Sequence, residues 1–381
     1  MWRPDLYLNR PSILLAWLLS GAGGVCVAAP LGLPPVPVPA DNPITEIKVA
    51  LGEKLFRDPR FSRTGAVSCS TCHEPAKAFT DSPLETSEGV NHLSGTRNAP
   101  TLANVAYFKQ MFWDGRARDL EDQSRHPFVN PVEMGLPDRA PIIALVRTDP
   151  DYVRMFREAF SKEPAEIGMQ EIMKAIATFE RTLLFGDSPF DRWYYSGERG
   201  ALSEAAQRGF KVFMEDGRCQ SCHTIEPAYA LFTDNRFHNI GVGIQRVERD
   251  LSRIQSAWLT ARARGINVDK SVLSSGTSAE LGRFVISEAL DDIGAFKTPT
   301  LRNVAVTPPY MHDGSLQTLR EVVDFYDHGG VPDATDPVSD FVSGGIRPLH
   351  LTDEQLADLV AFLESLTSPA FAGLATATKG P

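Results

Sequence analysis

Cys69-Ser-Thr-Cys72-His73 returns 150 residues later as Cys219-Gln-Ser-Cys222-His223. Cys-x-x-Cys-His is the spacing of covalent c-type haem attachment. Two thiols a turn apart add to the two vinyl groups of one porphyrin, and the imidazole of the next residue ligates the iron. Four such thiols could otherwise form one all-cysteine zinc site, two vicinal disulfides or two thioredoxin-like redox pairs. None of these needs a His directly after each second Cys. The pattern therefore points to two covalently bound haems c.

The start of the chain agrees with that chemistry. Arg3 and Arg10 flank the entry to a short apolar run from Ile13 to Val25, and Cys26-Val-Ala28 resembles a small-residue cleavage site. Residues 1–28 thus read as a secretory signal peptide, and the run is too short and Gly-interrupted to span a membrane. Cys26 offers a lipoprotein alternative, which bulky Val25 just before it opposes. Cleavage at Ala28 leaves four cysteines, all in the two motifs, and none for a structural disulfide. Export to a periplasm, where c-type haems are attached, is the expectation. The formal charge of −10 argues against nucleic acid as a partner. It suits a small basic electron carrier, and serves equally to keep the protein soluble.

Residues 29–43 form a Pro-rich, stiff leader. Ile47, Leu51 and Leu55 then recur at helical spacing before the first motif, as the pattern from Ser203 to Met214 does before the second. Further helices are expected over 138–160 and 167–184. Thr352-Asp-Glu-Gln355 is a capping box opening a helix with Leu356, Leu359, Val360 and Leu363 on one stripe. Strand patterns are few. The expectation is a mostly α fold of two helical domains, 44–198 and 199–368, divided in the Gly186–Gly200 stretch, with a flexible tail over 369–381.

A second repeat says more about function. Pro100-Thr-Leu-Ala-Asn-Val-Ala106 recurs as Pro299-Thr-Leu-Arg-Asn-Val-Ala305, and the register runs on to Asp114-Gly115 and Asp313-Gly314, eight of sixteen positions being identical. Each half is a copy of one single-haem unit. Within this register Trp113 corresponds to His312 and Pro127 to Tyr326, so equivalent scaffolds surround the two irons with different side chains.

With Arg97-Asn98-Ala-Pro-Thr, Phe112-Trp-Asp-Gly-Arg116, Asn130-Pro-Val-Glu-Met134, Phe237-His-Asn-Ile-Gly241 and Pro309-Tyr-Met-His-Asp-Gly314, the chain resembles the bacterial dihaem cytochrome c peroxidase and MauG superfamily over about 45–367. The resemblance implies two cytochrome c-like domains. The N-terminal haem would react with hydrogen peroxide and the C-terminal haem would relay electrons. His73 and His223 would be proximal ligands, Trp113 the bridge between the haems, and Glu133 the distal acid/base with Gln123 nearby. Asn98, Thr307 and Pro309 would hold a calcium ion at the domain interface, the last two through their carbonyls. His312 would belong to the interface rather than to either iron.

Two departures bear on the branch. The peroxidases place a Met ligand fourteen positions after the His of the Tyr-x-His-Asp-Gly stretch; here that position is Tyr326, which resembles the axial Tyr of MauG-like members. A distal His in the loop before Arg97 is also common among the peroxidases. Aligning Thr86-Ser87-Glu-Gly89 puts Val90 at that place, which leaves His92 as an open sixth-ligand candidate. MauG's surface Trp, two residues before the second motif, is Gly217 here; Trp193, Tyr194 and Tyr195 are the other surface aromatics able to pass oxidising equivalents outward. The resemblance implies peroxide reduction with electrons from a small cytochrome c or cupredoxin. Oxidative maturation of a partner protein is the alternative. A non-catalytic electron-transfer cytochrome is a third reading, opposed by Glu133 and an open distal site.

Overall fold

The computed structural model describes residues 27–331 and 341–377. The signal-peptide reading and the last four residues of the tail lie outside them, apart from Val27 and Ala28. The molecule is mostly helical and consists of one unit built twice. The first half holds α1 (Glu46–Arg57), α2 (Cys69–Cys72), α3 (Leu120–Ser124), α4 (Ala140–Thr148), α5 (Pro150–Phe160) and α6 (Met169–Glu180). The second runs from α7 (Pro189–Tyr195) and α8 (Glu204–Met214) to α14 (Leu319–Asp327), α15 (Asp353–Glu364) and α16 (Ala372–Ala377). Between them it carries an insert of α9 (Ile244–Val247), α10 (Leu251–Ala263), α11 (Val268–Ser274), α12 (Gly276–Ala279) and α13 (Phe284–Ser287).

In each half the helix before the haem motif crosses the last long helix at a glycine. A Cβ on Gly52 of α1 would lie 2.0 Å from the Ala175 carbonyl oxygen of α6; on Gly209 of α8 it would lie 1.8 Å from that of Asp358 on α15. Only hydrogen fits, so the backbones touch. A phenylalanine pair packs beside each crossing: Phe56–Phe179 with ring centroids 5.2 Å apart and Phe213–Phe362 at 5.0 Å, tilted by 55° and 57°. Burying such rings is worth about 2–3 kcal/mol each. Local signals start the helices: Thr45 accepts from Lys48 N, Ser203 from Ala206 N, and the Thr352/Gln355 capping box forms as expected.

Three expectations need correction. The pattern over 138–160 is two helices, because Asp149 caps α5 and Pro150 takes its first position, where no N–H is needed. Segment 189–195, expected to close the first domain, packs into the second. There Phe190 is fully buried and its ring meets those of Phe210, Phe232 and Phe362 at 5.8, 5.3 and 5.7 Å. Residues 369–377, expected to be loose, form a turn and α16, and Phe371 returns to the first half's core against Phe185 at 4.5 Å.

Two further features join the halves. The leader lies across both: Gly32 O accepts from Ala230 N and from Arg302 Nη2, and Pro34 O accepts from Tyr107 Oη. Arg302 is itself fully buried in a two-armed pair with Asp191. The insert lies between β1 (Phe237–His238) and β2 (Phe296–Lys297), an antiparallel pair with Phe237 opposite Lys297. It has its own core of Ile254, Trp258, Leu281 and Phe284, and it reaches the first half through Arg283, which donates to the Asp114 and Gly115 carbonyls at 2.9 Å. Among the described residues no helix is long and apolar enough to cross a membrane.

Gly209→Ala should destabilise the fold. Forcing the helices apart costs about 3 kcal/mol, against about 1 kcal/mol gained from alanine's helix propensity. The net loss of about 2 kcal/mol should lower the melting temperature by roughly 5 °C. Gly200→Ala, with open space around its Cβ, should melt like the parent.

Candidate dihaem site

Both motifs face one continuous cavity, lined by His73 from the first half and by Cys219, Cys222 and His223 from the second. The four thiols are free. His73 Nδ1 donates to Phe79 O at 3.2 Å and His223 Nδ1 to Phe232 O at 2.8 Å, which leaves Nε2 of each ring as the ligating nitrogen. Burial holds both imidazoles below their ordinary pKa, hence neutral. The Pro-Thr-Leu repeat fixes this arrangement, since Thr101 Oγ1 donates to Ala78 O at 2.6 Å and Thr300 Oγ1 to Leu231 O at 2.7 Å. The orienting carbonyls belong to Phe79-Thr-Asp81 and Phe232-Thr-Asp234. This third short repeat was readable in the sequence but carries no ligating side chain.

These residues fit haem. Two thiols and one neutral imidazole stand ready in each half. Lys297, buried in the cavity wall, has Gln110 O (2.9 Å) and the Phe108 ring as its partners, so a ligand bearing carboxylates would supply its counter-charge. Burial pushes its ammonium down to about 7.

Gln123, Pro127 and Glu133 line the first half's part of the cavity. Burial raises the Glu133 carboxyl to about 7, with Arg116 pulling it down, Asp269 pushing it up and His126 pulling it down. Arg116 stacks on Phe112 at 3.6 Å and pairs with Asp114 (2.9 Å) and Asp269 (2.8 Å), while His126 Nδ1 meets Asp269 Oδ2 at 2.6 Å. Asp269 comes from the insert of the other half. Gly89 closes the floor: Val90 N donates to Glu133 O at 2.8 Å, and a Cβ on Gly89 would strike Val132 O.

In the second half α14 places Tyr326 in the cavity wall. Burial raises its phenol, and the Cys219 and Cys222 thiols raise it further. Such a phenol ionises only against a cation, and ferric iron is one.

Trp113 and His312, equivalent in the repeat, meet at the junction of the halves. Asn98 N donates to His312 O at 2.9 Å, and its equivalent Lys297 N donates to Trp113 O at 2.8 Å; the Trp113 indole N–H donates to Asn98 O at 2.9 Å. His312 is buried, stacked on Phe296 and bonded to Glu280 at 3.0 Å. Asn98, Thr307 and Pro309 line the same cavity. The Asn98 amide nitrogen is turned to Leu84 O and Glu85 O, so its side-chain oxygen is the end left for a cation.

His92, Trp193, Tyr194 and Tyr195 stay away from the cavity. His92 is 92 % exposed and pairs with Glu88 at 3.4 Å, whereas Val90 is buried in the core. Trp193, Tyr194 and Tyr195 form a surface cluster that continues inward. Tyr194 stacks on Phe190 at 5.2 Å and Phe190 meets Phe232, whose carbonyl holds His223. Gly217 lies in the cavity wall beside Cys219. Reasoning from sequence missed Asp269, His126 and a buried glutamate, Glu180.

The family model for di-haem cytochrome c peroxidase matches residues 46–199. The methylamine utilization protein MauG of Methylorubrum extorquens is 36 % identical over 332 residues, spanning 87 % of this chain and 81 % of that protein. The cytochrome-c peroxidase IdrP1 of Denitromonas iodatirespirans is 37 % identical over 91 % of this chain and 89 % of its own. A crystal structure of a MauG-like protein associated with microbial copper homeostasis superposes with a TM-score of 0.71 at 34 % identity, covering 90 % of this chain and 97 % of that one.

Protein produced with c-type haem maturation should carry two haems that survive denaturing electrophoresis, counted by pyridine haemochrome. The Cys219→Ser/Cys222→Ser double variant should retain one; two retained haems would refute the assignment of the second motif.

Proposed function

The chain belongs to the di-haem cytochrome c peroxidase family of peroxide-dependent dihaem oxidoreductases, and we propose that within it the first half reduces hydrogen peroxide with Glu133 as acid and base. The buried Glu133 carboxyl carries this reading: poised near neutrality, it can both take and return a proton. Haem bound at Cys69, Cys72 and His73 supplies the iron that takes up peroxide and holds oxidising equivalents. Glu133 takes the proton from one peroxide oxygen and returns it to the other, which leaves as water. Gln123 orients the peroxide. Trp113, fixed through its N–H on Asn98, carries electrons between the halves. Tyr326, in the wall of the second half's part of the cavity, would ligate the second iron as a phenolate, a hard anionic donor that would favour the ferric state over the reduced one. Asn98, Thr307 and Pro309 would hold a calcium ion through oxygen atoms, which would brace the junction.

Electrons come from a small cytochrome c or cupredoxin in the periplasm, where the signal sequence sends the chain. A second reading, oxidation of a partner protein, is favoured by one observation: the ring path from exposed Tyr194 through Phe190 and Phe232 to the carbonyl that holds His223.

Because Glu133 must begin ionised, kcat/KM for peroxide should rise with pH through about 7. Glu133→Gln should remove that limb and lower the rate about 10²–10⁴-fold with both haems still attached. An unchanged rate in this variant would leave only an electron-transfer role. Under turnover with a small donor, Tyr194→Phe should match the parent; a loss confined to oxidation of a protein partner would favour the second reading.

A further inference from the structure

Glu180 is a buried acid that the peroxide chemistry does not use. It ends α6, is 4 % exposed and lines the haem cavity, and its Oε2 has no hydrogen-bond partner. Its equivalent across the α6/α15 match, one place after Phe179 and Phe362, is Leu363, which lines the same cavity from the second half. An apolar residue therefore satisfies the scaffold there, and packing does not call for the carboxyl.

The surroundings disfavour its charge. The C-terminal end of a helix is the negative end of its dipole. Arg181, the adjacent cation, is committed to Glu121 of α3 through two bonds of 2.7 and 2.6 Å, and Glu121 adds a like charge. From α1, Gly52, Phe56, Leu51 and Leu55 pack against α6, and the buried cation of that helix, Lys48, is committed to Asn42 and the Pro43 carbonyl. Towards α2, Glu180 pushes up the proton affinity of the Cys69 thiol, the thiol that would join the first haem. Burial and Glu121 outweigh Arg181 and push the carboxyl up to about 8.

A buried carboxyl beside a redox centre responds to the charge of that centre: when the iron gains a positive charge, the carboxylate becomes the better form. We propose that Glu180 is the proton-coupling group of the first haem. It holds a proton on its carboxyl while that haem is reduced and releases it to solvent when the haem loses an electron. One electron and one proton leave together, the electron to the oxidant; both return when the donor protein re-reduces the site. The second haem, with Leu363 at this place, lacks the device. The inference rests on the reading of the first-half cavity as a haem pocket.

The test is spectroelectrochemical titration of the first haem in the holoprotein on both sides of pH 8. In the parent its midpoint potential should fall with rising pH just below that value and level off above it, because the carboxylate stabilises the oxidised form. Glu180→Gln should remove the fall just below pH 8, leaving whatever slope Glu133 and Lys297 contribute near pH 7. Glu180→Leu, which copies Leu363, should do the same and guards against misfolding of the first variant. The slope should persist in Glu133→Gln. A fall just below pH 8 that survives both Glu180 variants, or that is removed by Glu133→Gln, would overturn the proposal. A haem-loaded parent with a pH-independent potential would overturn it and leave the peroxide reading intact. Absence of haem at Cys69 and Cys72 would overturn both.

Discussion

Ionising a carboxyl shut away from water costs several kcal/mol unless nearby charges offset it, and the first-half pocket is arranged around that cost. Burial raises the Glu133 carboxyl most, Arg116 draws it down, and Asp269 opposes Arg116. The balance leaves the group near neutrality, where proton transfer in either direction is possible. Asp269 is also the residue that anchors Arg116 and His126. The insert that carries Asp269 thus does two things at once: it fastens the halves together and sets the proton affinity of the acid. Docking and acid strength are coupled through one side chain.

Equivalent scaffolds with unequal side chains explain how one chain holds two different sites. The imidazole of each motif is held by the carbonyl of a Phe-Thr-Asp stretch, and both helix crossings close on a glycine. Against that common frame the halves differ at matched positions of the cavity wall, among them Trp113 and His312, Pro127 and Tyr326, and Glu180 and Leu363. The first half gains acids. The second gains a phenol and an apolar wall.

Much of this was legible because it repeats or carries distinctive side chains. The two Cys-x-x-Cys-His motifs, the Pro-Thr-Leu repeat and the capping box at Thr352 each act over a few residues, so spacing reveals them. Asp269 was not legible: it meets Arg116 and His126 only after the chain folds back, and no local pattern marks an insert residue as a partner of the other half. Phe79 and Phe232 act through backbone oxygens, which any residue supplies. Phe190 and Phe371 misled for a related reason. Each lies in a stretch rich in Pro, Gly or Ala, yet one large ring finds a core elsewhere and orders its neighbours. Val90 in the core and His92 in solvent followed the alignment of Thr86–Gly89 rather than the attraction of a nearby histidine.

The most direct measurement adds one equivalent of hydrogen peroxide to the fully oxidised holoprotein without reductant and follows the visible and near-infrared spectrum. If no side chain closes the first iron and Tyr326 ligates the second, as proposed, the bands of both haems should change at once, without prior reduction. If nothing happens until the second haem has been reduced, the first site is closed at rest, Tyr326 does not ligate, and the account of two unequal haems acting as one oxidising pair is contradicted.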